Sequence, residues 1–539
     1  MPDMKLVPLK LPPGYANNGT VYQTKGRWHS GNLVRFFQGN IQPVGGWLPR
    51  TLSGASIVGT PSAAIAWTPD TGTVAQTPIL AIATTSNLYV VVSGVVHDIT
   101  PAGFPSNNAA RTWTLDVFGS YLVAQPIVEG DFSINIHLYV WTGDVTAAAV
   151  AASGAPPAGR AVVTTPERFL VQIGGYDPNG VYDPVTPTNT PPLSRTVYWA
   201  SQETTDTWIP AVTNSAGSFP LATEGAGMAG ARIRGGTLIW TNVDLHLMTY
   251  IGGILLYSFN KVGDECGIIS SRAAVTLDSV AMWMGQNGFF QYNGYTTPLP
   301  CEVQDYVFGN INMSLARKIW ALSNPAYHEV TWFYPSATAT EIDSYVTYNY
   351  IENHWVFGSL SRTCGVPIEL PGTVPVLVDA NGVVYDHETG TSRSGSPTPF
   401  VESGPAEIGD GDTLMNIERL VPDEDNLGDV LLTVYAQNRP MGAQTTHGPF
   451  IMKNEPANVR VKARQVRLRF SQYDPSLLLG PTVLFHYSLG DAMTQATYTR
   501  NSVANFSSDG AGTVTAPPVH SGNWRIGTMR VGAIQTSKR

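Results

Sequence analysis

Charge and helical periodicity are both scarce in this chain. Asp, Glu, Lys and Arg make up 13% of its 539 residues, about half the share usual in soluble proteins. Surface polarity must then come from Thr, Ser, Asn and Gln, which suit strands, turns and packed assemblies better than solvated helices. Cysteine is scarce too. Cys266, Cys301 and Cys364 are odd in number and widely spaced, which leaves no disulfide framework and no CxxC metal pair. They are expected as buried apolar residues, and folding in a reducing cytoplasm fits. No apolar run is long enough to span a bilayer. The most apolar tract, 145–158, is Ala-rich and broken by Ser153, Gly154, Pro156 and Pro157, and reads as a linker or loose excursion. Met1–Tyr15 lacks the apolar core of a signal peptide. The net charge of −9 excludes a basic coat for nucleic acid, but not a duct through which DNA slides without sticking.

What the chain has is turn chemistry. Its 53 Gly and 40 Pro are spread along the length and cut it into short period-2 segments. Arg35–Trp47 is the clearest: a short strand, a Gly-Asn turn, and a second strand that stops at Pro43. The same grammar recurs in about seven units, at 80–100, 112–124, 168–208, 236–259, 273–300, 327–357 and 375–385, a spacing at which propeller blades fall. Three units place an Asn at a tight turn before a strand bearing Tyr: Asn87, Asn287 and Asn381. One helix is expected over 303–321, broken near Asn310 and Asn312. The fold class read from this pattern is all-β: an irregular β-propeller of about six to eight blades with an additional C-terminal β-sandwich-like module. Residues 1–60 are expected as an N-terminal β segment contributing to the first blade, 61–393 as the propeller body, and 394–539 as a β-rich module closing a ring or channel.

Candidate chemistry is thin. Gly225, Gly227 and Gly230 form a GxGxxG, but no helix pattern follows, so an inter-blade loop is the better reading than a dinucleotide site. Asp410, Asp412 and the acids at 423–425 offer oxygen ligands without EF-hand spacing; solvated loop acids or partners for Arg fit better. The ten His form no HExxH or His-Cys cluster. Trp67–Gly72 resembles an Asp-box turn of sialidase-type propellers, but the motif does not repeat, and no pair of carboxylates for a glycosidase can be assigned. No catalytic, cofactor-binding or metal residue is assigned. One stripe stands out: Arg460, Lys462, Arg464, Arg467 and Arg469 alternate with apolar residues. Gln465 shifts the parity, which implies a bulge that keeps all five on the polar face of one strand. Such a stripe suits a DNA channel or a subunit contact. Without interleaved aromatics it suits a solvated face or salt bridges better.

Laid end to end, several motifs resemble one family. Leu33–Trp47 is similar to the opening signature of tail proteins of short-tailed bacteriophages. The likeness continues through 197–208, 238–253, 266–269, 282–294, 329–349 and the closing Trp524–Arg530, so it covers most of the chain. The family is the tail nozzle, also called tail tubular protein B or tail hub. The resemblance implies a structural, non-enzymatic virion protein without cofactors, assembled in the host cytoplasm. It implies a homohexameric ring below the portal and adaptor ring, enclosing the exit channel for double-stranded DNA and receiving tail fibre or tail-tip proteins. The alternative reading is a receptor-binding or glycan-cleaving propeller at the tail periphery.

Overall fold

The computed structural model describes residues 5–538 except 70–76, 106, 129–134, 177–193, 254, 368–373, 394–397, 408–412, 422–423, 426–429, 440–441, 453–456, 474–482, 490–491, 499–504, 507–511, 514–523 and 527–528. The chain divides into two compact units, 46–390 and 1–45 with 391–539. Residues 1–60 are therefore split between them, because most early strands find their partners near the C-terminus.

The first unit is a seven-bladed β-propeller. Blade 1 is a five-stranded sheet built on Pro61–Trp67, Ile79–Thr84, Leu88–Val92 and Val95–Asp98, with Ser53–Gly54 added in parallel. Blades 2 to 6 are four-stranded antiparallel sheets that start at Arg111, Ala161, Gly227, Ala274 and Trp320. Blade 7 takes three strands, Cys364–Val366, Val376–Val378 and Val384–His387, from the end of the unit. Its fourth strand, Trp47–Pro49, comes from the beginning, with His387 opposite Trp47. The first strands of successive blades neighbour one another around the ring, and the seventh returns to the first.

Each of the seven units read from turn chemistry corresponds to one blade. Alternation puts one face of each sheet against the preceding blade and the other against the next. Leu80, Ile82 and Tyr89 of blade 1 pack on Val366, Val376 and Val378 of blade 7, while Ala81, Leu88 and Val90 pack on Trp113, Leu122 and Trp141 of blade 2. Buried indoles must find acceptors, and several find them in a neighbouring blade. Trp113 Nε1 donates to the Thr84 carbonyl at 2.7 Å and Trp67 Nε1 to that of Ser120 at 3.2 Å. Trp332 Nε1 reaches the Ala273 carbonyl at 2.9 Å.

Several readings need correction. The tract 145–158 is no loose excursion: Val150–Ala151 is the outer strand of blade 2, with Val150 opposite Val140. The GxGxxG is not a loop. Gly227–Ile233 is the axial strand of blade 4, and Gly227 and Gly230 lack side chains because a Cβ would come within 2.3 Å of Ile173 Cγ2 and 2.8 Å of Val163 Cγ1. The helix over 303–321 breaks near Asn310 and Asn312 as expected, into a short α-turn, Gln304–Gly309, and a 3-10 segment, Met313–Lys318; only its end differs, Trp320–Asn324 being a strand. Asn312 caps the 3-10 segment, its side chain accepting from the Ser314 amide at 3.2 Å.

In the second unit, Val34–Phe37 and Asn40–Pro43 form a hairpin. Its turn residues are Gln38 and Gly39, with φ of 52° and 77°, the left-handed pair that a type I′ turn needs. Asn40 thus starts the second strand rather than sitting in the turn. One sheet orders Lys5–Leu9, Met529–Lys538, Thr413–Val421 and Ala457–Ala463. A second orders Trp28–Asn32, Phe400–Ser403, Gln465–Gln472, Val430–Gln437 and Thr445–Ile451. Trp28 meets Phe470 edge-on with centroids 6.2 Å apart and lies 6.1 Å from Phe36. The possible calcium-ligand loops at 410–412 and 423–426, the Asp-box-like turn after Pro69 and the Pro-rich loop 177–192 lie outside the described residues or side chains.

Candidate functional site

The seven axial strands converge on a cavity of about 220 Å³, lined in ring order by Ala63, Thr114, Val162, Gly230, Arg272, Ala321 and Gly365, among others. Small residues dominate because seven strands meet at one axis and large side chains would collide there. Among the described residues, Arg272 is the one charged residue of that lining. It directly precedes blade 5, and its carbonyl accepts from the Ala321 amide of blade 6 at 2.9 Å. Its Nη2 donates to the Lys318 carbonyl at 3.3 Å, while its Nε is buried without an acceptor among the described residues. Burial lowers the Arg272 pKa to about 10; the opposing influence comes from the Cys364 thiol, not from a carboxylate. A buried donor left unpaired costs about 1–3 kcal/mol, more when charged.

A second cavity of about 220 Å³ adjoins the first and shares Ser271 with it. Residues before or at the start of axial strands line it, including Thr112, Arg160 and Ser270, together with Met313 and Arg317 of the 3-10 segment. Arg317 Nη1 donates to the Ser314 carbonyl at 3.0 Å, and its Nε is buried without an acceptor among the described residues. Ser270 Oγ donates to the Ile319 carbonyl, fixing the loop that leads to Arg272. Neither cavity is lined by a described Asp or Glu.

Elsewhere in the propeller a buried acid, Asp116, is fully engaged. It accepts from Arg232 Nη2 at 2.9 Å, from the Thr164 amide at 2.7 Å and from the Val117 amide at 2.8 Å. Burial raises its pKa against the lowering influence of Arg232 and these amides. This is a structural ion pair, not one of two facing carboxylates. Asp244 of blade 4 is engaged in the same way, by Thr241 Oγ1 at 2.5 Å, His246 Nε2 at 3.1 Å and Lys261 Nζ at 3.1 Å. No group of three His, Cys, Asp or Glu that could hold a metal occurs among the described residues.

The basic stripe does not stay on one strand. Arg460 and Lys462 lie on Ala457–Ala463 in one sheet, exposed, while Arg467 and Arg469 lie on Gln465–Gln472 in the other. Arg464 sits at the bend where the chain changes sheets. The parity shift at Gln465 is this crossing, a device by which a strand turns a sandwich corner. Arg467 and Arg469 both reach Glu402, at 3.0 and 3.7 Å, and Arg469 also lies 3.6 Å over the Phe400 ring. Their charges are thus largely compensated within the sheet.

An apolar rim is the other prominent surface. In blade 4 the hairpin after Leu245–Tyr250 exposes Tyr250, Ile251 and Leu255, the last at 74%. Phe219, on the outer strand of blade 3, stacks on Phe259 of blade 4 with centroids 4.5 Å apart and planes parallel to within 1°. Tyr250 joins the same cluster through Tyr257 at 5.7 Å. Outer strands also carry Lys or Pro, such as Lys261 on the same strand as Phe259 and Pro298 of blade 5, which blunts strand-to-strand association.

No family model and no curated protein matches the chain. Among solved structures it is similar to a glycoside hydrolase at 8% identity and TM-score 0.25, over 78% of this chain and 99% of that one. A protein from Lactobacillus plantarum is 8% identical with TM-score 0.33, over 64% and 92% of the two chains. A structure of BBS1N in complex with ARL6DN is 12% identical with TM-score 0.28, over 70% and 98%. At these scores none bears on activity. Sequence reading missed the axial arginines because neither belongs to a motif and 45 residues separate them. The available signal was positional, since residues just before each blade's first strand meet at the axis.

Proposed function

We propose that this chain is a structural tail protein of a short-tailed bacteriophage: a nozzle subunit in a six-membered ring that encloses the DNA exit channel. In this reading it connects the portal and adaptor to the tail tip or fibres. The sequence likeness of Leu33–Trp47 and the later motifs supplies the family. The observation that carries the role is the apolar rim of Phe219, Tyr250, Ile251 and Leu255. A group of exposed large apolar side chains marks a protein contact, and in this reading it is the docking place of another tail protein. The mechanism is mechanical. A weakly acidic, charge-poor wall makes few phosphate contacts, so counterion release cannot hold the passing duplex.

The test is to mix the purified chain with purified adaptor rings and determine the mass of the product. Six copies per adaptor ring support the nozzle. A monodisperse monomer at high concentration that ignores the adaptor contradicts it. The rival, a glycan-cleaving propeller, needs two carboxylates flanking the scissile bond, and among the described residues the axial cavities are lined by none. A glycan array and a reducing-sugar release assay test it directly; sugar release abolished by a carboxylate substitution would reverse the assignment.

A further inference from the structure

The two arginines at the propeller axis have a common support. Arg272 Nη2 bonds the Lys318 carbonyl, and Arg317 is the residue before Lys318 on the same 3-10 segment. The guanidinium of the first cavity is therefore anchored to the segment that carries the guanidinium of the second. Ser271, in the wall of both cavities, lies next to Arg272 in sequence. Two permanently charged groups each keep a buried Nε–H that no described protein atom accepts. No described carboxylate lines the space to balance them, although the chain as a whole carries a net charge of −9. Arg160 adds a third guanidinium, to the lining of the second cavity, with hydroxyls from Thr112, Ser270 and Ser314.

We propose that the adjoining axial cavities bind a small phosphate through Arg272 and Arg317. A guanidinium fork matches the oxygen geometry of phosphate. A phosphate carries about −1.5 to −2 charges near neutral pH, the complement of two arginines. The cavity volumes fit a free phosphate or a small phosphate monoester and exclude duplex DNA, so this site is separate from any passage of the genome. Its assignment does not depend on the tail-nozzle reading.

The experiment is calorimetric titration of the full-length protein with potassium phosphate, glycerol 3-phosphate and glutarate at matched ionic strength. Thermal unfolding is followed with and without each. Phosphate is expected to bind and to raise the melting temperature. Glycerol 3-phosphate binding as well as phosphate identifies a monoester as the natural occupant; binding of phosphate alone identifies the free ion. R317Q, at the second cavity, is expected to fold normally and to weaken phosphate binding at least tenfold. R272Q gives a signature that a merely structural arginine would not. Without phosphate it melts at or above the wild-type temperature, because an uncompensated buried charge is gone, and it no longer responds to phosphate. Should R272Q fail to fold, R317Q decides. No phosphate binding by the wild type, unchanged binding in R317Q, or glutarate binding as tightly as phosphate would each overturn the proposal.

Discussion

Replacing Trp47 with alanine should open the propeller at one seam. Trp47 belongs to the single strand that closes blade 7 from the far end of the unit, and it is 1% exposed. The His387 ring stacks on it at 5.0 Å, and the Arg362 guanidinium lies 5.2 Å over it. Arg362 Nε also donates to His387 Nε2 at 3.0 Å and faces the Tyr385 ring at 4.1 Å. Truncating a buried Trp costs about 3–5 kcal/mol. Leu48 on the same strand is half exposed, so Leu48→Ala should cost no more than about 0.5 kcal/mol. Asp386→Asn removes the ion pair with Arg50 at 2.8 Å, which is partly exposed and worth about 0–1 kcal/mol. Native-state hydrogen exchange reads the seam. In W47A, protection should fall first at Cys364–Val366, Val376–Val378 and the axial strand Pro61–Trp67, with blades 3 to 5 less affected. Urea unfolding gives the total. A W47A cost under about 1 kcal/mol, or no local loss at blade 7, would refute strand closure as the lock of the ring.

Further outcomes follow from the same contacts. Burial first, and Arg362 second, hold the His387 pKa well below its ordinary 6.5. The unfolded chain therefore takes up a proton that the folded chain refuses. The stability His387 contributes is complete above pH 6.5 and is lost as pH falls below it, by up to about 1.4 kcal/mol per unit. Urea midpoints between pH 7.5 and 5.5 should show this slope, and H387Q should flatten it. Gly230→Ala should destabilise by about 1–3 kcal/mol through overpacking, and adding NAD should leave the wild-type melting temperature unmoved, as measured by calorimetry. Glu402→Gln should cost about 1–3 kcal/mol by leaving Arg467 and Arg469 without their shared carboxylate, read from the unfolding of the module. Leu255→Asp with Ile251→Asp should leave the melting temperature within a degree or two and abolish co-purification with the tail partner.

Local signals carried much of the fold. A hairpin announces itself within a few residues, as Gln38-Gly39 and Asn381-Gly382 do, because left-handed backbone is needed where Gly stands. Within 46–390, each of the seven turn-punctuated units placed a blade. Non-local pairing left no comparable trace: nothing near Trp47 says that its partner is His387, 340 positions away. The parity shift at Gln465 was visible, but a bulge within one sheet and a crossing between two sheets write the same pattern. Gly227 and Gly230 looked like phosphate-loop glycines because both contexts exclude a Cβ, one for a ligand and the other for Ile173 and Val163. The site was harder still. Arg272 and Arg317 are 45 residues apart in sequence, and each looks like an ordinary loop cation until the blades close around the axis.

The tail-nozzle proposal is tested most directly by asking whether the chain, with a compact tag inserted at its exposed blade-4 hairpin, is built into a phage particle, and by reconstructing that particle. Six tags arranged around the tail axis, with the propellers encircling the DNA exit channel, is the expected result. Tags at the periphery in fibre positions, or none in the virion, would contradict it.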